Sequence, residues 1–134
     1  METIALIERN KDGKYCIYTP NLQSTITGEG ENVAEAKADF AEAYKEALES
    51  FAIMGKSVPE ELDGLTFEYR YDLSAFYDAH PYLNVSKTAK YLGINDTLMR
   101  QYKRGQYISE KQIMRIQSGI RSIGAELQKV TLIR

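Results

Sequence analysis

The sequence predicts an α+β protein of two modules, a β-β-β-α-β unit over residues 1–71 followed by an all-helical unit over residues 72–134. Two observations carry this reading. Apolar residues alternate with period two in several short runs before Tyr71, and recur at spacings of three and four after it. The charge divides at the same place. The 134 residues sum to −2, but residues 1–71 hold 7 basic and 14 acidic side chains, and residues 72–134 hold 10 and 5. A −7 half beside a +5 half points to two surfaces facing different partners, the basic one a candidate for nucleic acid.

Glu2 to Glu8 alternates, with Ile4 and Leu6 on one face and Ala5 and Ile7 on the other. Asn10-Lys11-Asp12-Gly13 reads as a hairpin loop. Tyr15 to Thr19, aromatic and β-branched, forms a second strand that Pro20-Asn21 stops, and Ser24 to Thr27 forms a third. Gly28-Glu29-Gly30 reads as the turn after it, because Glu29 and Glu31 would repel a phosphate in such a loop. Asn32 and Glu35 form a capping box. Val33, Ala36, Phe40, Ala43, Ala47, Phe51 and Met54 then make one apolar helical stripe, closed by Gly55. The opposite face holds Glu35, Asp39, Glu42, Glu46 and Glu49. Leu65, Phe67, Tyr69 and Tyr71 alternate with Thr66, Glu68 and Arg70 as a half-buried fourth strand.

A short hairpin, the segment Pro20-Asn21-Leu22, a third strand and an acidic, Ala-rich helix opening at Ala34-Glu35-Ala36 resemble the HicB family of antitoxins. The sequence departs from that pattern at Gln23-Ser24-Thr25, where many members continue with Pro-Gly-Cys. The resemblance implies a partial RNase H-like module that masks a small HicA-like mRNA-cleaving toxin, with Glu35, Asp39, Glu42, Glu46 and Glu49 suited to a basic partner. Metal-dependent nuclease chemistry would require carboxylates converging from strand ends. The strands offer only Glu2, Glu8 and Glu68, so no catalytic, metal or cofactor site is assigned and no enzyme activity is expected. Cys16, the single cysteine, reads as a small buried hydrophobe rather than a nucleophile, and forms no intramolecular disulfide.

Beyond Tyr71, Asp72 caps a short helix bearing Leu73, Phe76 and Tyr77, which Pro81 terminates. His80, the only histidine, lies at its C-terminal end with no nucleophile or second histidine arranged beside it in sequence. Asn84 caps the next helix, whose inner side includes Ala89 and Leu92. Gly93 takes a tight turn, Ile94 plugs the space beneath it, and Asn95 caps a further helix. Met99 and Tyr102 face inward there, and Gly105 ends it.

From Leu83 to Ile120 this spacing closely resembles the lambda-repressor-like helix-turn-helix domains. The resemblance implies that the second helix of the motif enters the major groove. Asp96, Thr97 and Gln101 then become the base readers, with Arg100 at the edge of the contact. Lys103, Arg104, Tyr107 and Lys111 would serve phosphates, which position the protein without reading sequence. Val85 stands where the family often has a phosphate-binding Gln, so some backbone anchoring is expected either to be weaker or to come from Ser86 and Lys87.

Ser109 and Gln112 form another capping box, after which Ile113, Ile116, Ile120, Ile123, Leu127 and Val130 repeat at helical spacing. One small domain does not bury so long a stripe, and residues 129–134 alternate like a strand. A homodimer or higher homo-oligomer through Ile120, Ile123, Leu127, Val130 and Leu132 is therefore expected. No apolar run reaches membrane-span length, and a cytoplasmic protein without membrane contact is expected. The combined expectation is an antitoxin that neutralises a HicA-like toxin and represses its own operon by binding operator double-stranded DNA. The alternative is a stand-alone regulator whose acidic module senses a ligand or oligomerises.

Overall fold

A computed structural model describes all residues, 1–134. The chain forms two compact units, residues 1–81 and 82–134. Their boundary lies beyond the 71/72 division read from charge and periodicity, because the short helix that follows the fourth strand packs onto the first unit. Unit 1 thus holds 7 basic and 16 acidic residues, net −9, and unit 2 holds 10 and 3, net +7.

Unit 1 runs β1 (Glu2–Arg9), β2 (Tyr15–Tyr18), β3 (Thr27–Gly30), α1 (Val33–Ile53), a single 3-10 turn at Glu60–Leu62, β4 (Thr66–Tyr71) and α2 (Leu73–Ala79). The sheet order is β3-β2-β1-β4, with β4 parallel to β1 and the other pairs antiparallel. The register aligns Ile7 with Ile17 on one side and with Tyr71 on the other, and Ile17 with Gly28. Ala5, Ile7 and Ile17 are fully buried in the same core as Phe40 of α1, whereas Ile4 and Leu6 on the reverse face are half-buried. Val33, Ala36 and Phe40 are the buried part of the α1 stripe, and Phe40 meets Phe67 edge-on at 4.8 Å between ring centroids. Ala43, Ala47 and Phe51 are only half-buried, and Met54 is exposed.

The expected turn at Gly28-Glu29-Gly30 is a strand instead, and the strand expected at Ser24 to Thr27 begins only at Thr27. The reason is steric. A Cβ on Gly28 would lie 2.5 Å from the Phe40 nitrogen, and one on Gly30 would lie 2.6 Å from the Ala36 nitrogen. The two glycines let the α1 backbone lie directly on β3, a role their turn propensity does not reveal.

The caps follow the sequence reading. The Asn32 side chain accepts from the Glu35 amide at 2.8 Å, and Glu35 accepts in return from the Glu31 amide at 2.9 Å, one residue before the expected reciprocal partner. Gly55 adopts φ +67°, and the Lys56 amide reaches back to the Phe51 carbonyl at 2.9 Å. Between β2 and β3, the Gln23 and Ser24 amides donate to the Glu61 carboxylate at 3.0 and 3.4 Å, fixing the loop where the sequence departs from the HicB pattern. α2 is tied to unit 1 by three contacts. Asp72 caps α2 through Ala75 and accepts from the Arg9 amide at 2.9 Å. Ser74 pairs with the Tyr15 hydroxyl at 3.0 Å, and Asp78 accepts from the Val33 amide at 2.7 Å.

Unit 2 contains α3 (Val85–Leu92), α4 (Asp96–Lys103) and α5 (Glu110–Gln128). Its interior is built from Ala89, Ile94, Met99, Tyr102 and Ile116, all buried. α5 extends to Gln128, and residues 130–134 form no strand within the single chain. No helix is long and apolar enough to cross a membrane.

Candidate nucleic-acid interface

The arrangement of α3 and α4 follows from local sequence. The Asn84 side chain accepts from the Lys87 amide at 2.9 Å and starts α3. Gly93 ends it in the left-handed region at φ +71°, with the Ile94 amide returned to the Ala89 carbonyl at 2.9 Å. Asn95 restarts the chain as α4, its side chain accepting from the Leu98 amide at 3.2 Å. Ala89 is fully buried, and its small side chain suits a close crossing of helices. α5 secures the turn, because Arg115 donates to the Gly93 carbonyl at 3.0 Å.

With Met99 and Tyr102 buried, α4 and its C-cap Arg104 present Thr97, Arg100, Gln101 and Arg104 at helical spacing along the other side. Asp96, Thr97, Arg100 and Arg104 are exposed and Gln101 is half-buried. Beyond the helix, Tyr107 and Lys111 are exposed, Tyr107 at 84%, and Lys103 is half-buried. Of the eight expected contact residues, Asp96, Thr97, Arg100, Gln101 and Lys103 lie on α4, Arg104 is its C-cap, Tyr107 lies in the connecting loop and Lys111 in the first turn of α5.

Two of the eight engage each other. Arg100 sits 3.3 Å from the Asp96 carboxylate one turn earlier and donates to the Ser86 hydroxyl at 2.7 Å. Ser86, next to Val85, which offers no polar group, thus ties α3 to the middle of α4. Arg100 links the two helices, and Asp96 meets solvent already partnered. Chemically this leaves Thr97 and Gln101 as the α4 side chains with neutral hydrogen-bonding groups for base edges, flanked by cations suited to phosphates. Sequence reasoning did not identify Arg115 or Gly119 as supports. A Cβ on Gly119 would lie 1.8 Å from Leu92 Cδ2, so Leu92 occupies the space above this glycine.

In unit 1 the five α1 acids Glu35, Asp39, Glu42, Glu46 and Glu49 are all exposed. Glu35 and Asp39 also serve the β3–α1 junction, Asp39 accepting from the Glu29 amide at 2.8 Å. Glu42, Glu46 and Glu49 remain as the outward acidic row. The strand acids do not converge. Glu8 accepts from the Tyr18 hydroxyl at 3.0 Å and Glu68 pairs with Arg70 at 3.1 Å. No group of three or more His, Cys, Asp or Glu residues is placed to hold a metal ion. Burial, reinforced by Glu8, Glu29 and Asp72, pushes the Cys16 thiol pKa up and disfavours a thiolate. His80 Nδ1 lies 2.7 Å from the Phe76 carbonyl, and its ring stacks at a tilt on Phe76.

Of the expected oligomer residues, Ile120 and Ile123 are half-buried within the single chain, whereas Leu127, Val130 and Leu132 are exposed. Comparison with protein-family models, with curated proteins and with solved structures returns no match to this chain.

Proposed function

We propose that this chain is an antitoxin-type regulator resembling HicB. In this reading, unit 2 binds operator DNA as a helix-turn-helix domain with α4 in the major groove, and unit 1 masks a small basic toxin of HicA-like character. The observation that carries the reading is the division of charge between two separately built units, net −9 and net +7, the second carrying Arg100, Lys103 and Arg104 on or just past α4 and an exposed Lys111 after them. Thr97 and Gln101 read bases, while Lys103, Arg104, Tyr107 and Lys111 hold phosphates. Arg100 positions α4 through Ser86 and Asp96. The three-stranded meander, covering helix and parallel fourth strand support a partial RNase H-like reading of unit 1. The row Glu42, Glu46 and Glu49 steers a cationic partner toward it. The chain acts in the cytoplasm as a homodimer, presenting two copies of α4 to inverted half-sites.

Two experiments test the two halves. Fluorescence anisotropy with duplex DNA is expected to show affinity falling steeply as salt rises, in proportion to the phosphates neutralised. A salt-independent affinity, or none, rejects the DNA reading. Coexpression with a toxin-sized neighbouring gene product is expected to yield a complex and relieve toxicity. Failure of both rejects the antitoxin reading and favours a stand-alone regulator.

A further inference from the structure

The last turn of α5 and the residues after it hold apolar surface that the single chain leaves in solvent: Leu127 is 64% exposed, Val130 57%, Leu132 86% and Ile133 97%. Beside this overhang, α3 and α5 form an open groove lined by Tyr82, Leu83, Tyr91, Ile123, Glu126 and Leu127. Tyr82 and Tyr91 are 77% and 53% exposed, so the groove is as uncovered as the segment next to it.

We propose that the groove receives the segment Val130–Arg134 of a second copy of the chain, and that the reciprocal exchange closes a two-fold dimer. The proposal rests on the dimeric reading above and gives it a defined surface. Leu127 borders the groove and, with Val130, Leu132 and Ile133, belongs to the exposed apolar surface that leads into the segment. A two-fold axis near the end of α5 sets each segment over the other copy's groove, making the patch self-complementary and closing the assembly without further copies. The groove carries one carboxylate, Glu126, which accepts from the Tyr91 hydroxyl at 3.3 Å, and one cation, Lys87, while the segment follows Lys129, ends in Arg134 and contains no acid, so it brings no like charge to Glu126. An extended Val130–Arg134 directs Val130 and Leu132 to one side, where tyrosine rings offer apolar area with a polar tip.

The test uses the full chain with Cys16→Ser, which leaves no native thiol. Single-cysteine variants Tyr91→Cys and Leu132→Cys are mixed and oxidised. A disulfide joining one variant to the other is expected, with little product from either alone. Separately, the pair Leu132→Asp and Ile133→Asp is expected to weaken dimerisation at least 100-fold by sedimentation, with circular dichroism unchanged because neither side chain lies in the core. Efficient self-linking of Leu132→Cys alone, meaning tail-to-tail pairing, overturns the proposal. So does an intrachain link in the double cysteine variant, or a dimer that survives the aspartates. A native chain that stays monomeric at its solubility limit also overturns it. Duplex binding at low salt by the monomeric aspartate variant reads the DNA contact by itself, so the two readings fail separately.

Discussion

Replacing Gly28 with alanine sets a methyl carbon 2.5 Å from the Phe40 nitrogen, 2.6 Å from its Cα and 2.7 Å from its Cβ. Ordinary contact begins near 3.4 Å, so α1 must lift from β3 by roughly 1 Å. No rotamer change relieves the clash, because two of the three colliding atoms are backbone. The lift also disturbs Phe40, fully buried against the sheet and edge-on to Phe67. Overpacking of this kind costs about 1–3 kcal/mol, and a backbone collision belongs at the upper end. Loss of glycine's freedom in the unfolded chain returns about 0.4–1 kcal/mol, leaving a net destabilisation of about 2 kcal/mol. For a unit of this size that corresponds to a drop of roughly 8–16 °C in Tm. Thermal unfolding with segment-resolved hydrogen exchange gives the readout. Unit 1 amides are expected to lose protection while those of α3 and α4 keep it. A variant melting within about 2 °C of the native chain would refute the close approach of α1 to β3.

Gly119→Ala and Gly124→Ala are expected to act in opposite directions. The first displaces Leu92 and costs about 1 kcal/mol after the gain in helix propensity, while the second meets nothing within 4 Å and gains up to about 1 kcal/mol. Equal stabilisation by both in thermal melts would remove Leu92 from its assigned place. Arg100→Ala removes an exposed contact, so stability should change by less than about 1 kcal/mol. DNA affinity should fall clearly in anisotropy titrations, because α4 loses its tie to Ser86 and the Asp96 carboxylate is unpartnered; an unchanged affinity contradicts the positioning role. The raised Cys16 pKa leaves less thiolate at neutral pH than a free thiol has, so alkylation should be slower in the folded than in the urea-unfolded chain. It should accelerate only above the usual thiol range, and Glu8→Gln should quicken it. Equal folded and unfolded rates at pH 8 would exclude that environment.

Much of this structure is legible in local sequence because the signals are themselves local. Asn32, Asp72, Asn84, Asn95 and Ser109 each cap a helix through the amide three residues on, which requires no knowledge of distant packing. Gly93 is legible for the same reason, since only its own φ decides the turn. What escaped depends on contacts made far along the chain. Gly28 and Gly30 have the composition of a turn, and only the approach of Phe40 and Ala36 makes them strand residues. α2 is helical by its own periodicity, but its attachment to unit 1 rests on Asp72 reaching Arg9 and on Asp78 reaching Val33, links of 63 and 45 residues. In the candidate interface, the positions of Asp96 and Arg100 were legible, but their engagement with each other and with Ser86 was not. Single residues pair across helices only once the crossing is built.

The central claim is that α4 reads DNA sequence, and selection of the full chain from a randomised duplex pool tests it most directly. The expected result is an inverted pair of half-sites with centres about 34 Å apart. Gln101→Ala should then relax preference at one position per half-site, at a cost of about 1–3 kcal/mol. A pool that shows no enriched sequence, or a preference that Gln101→Ala leaves intact, would contradict it.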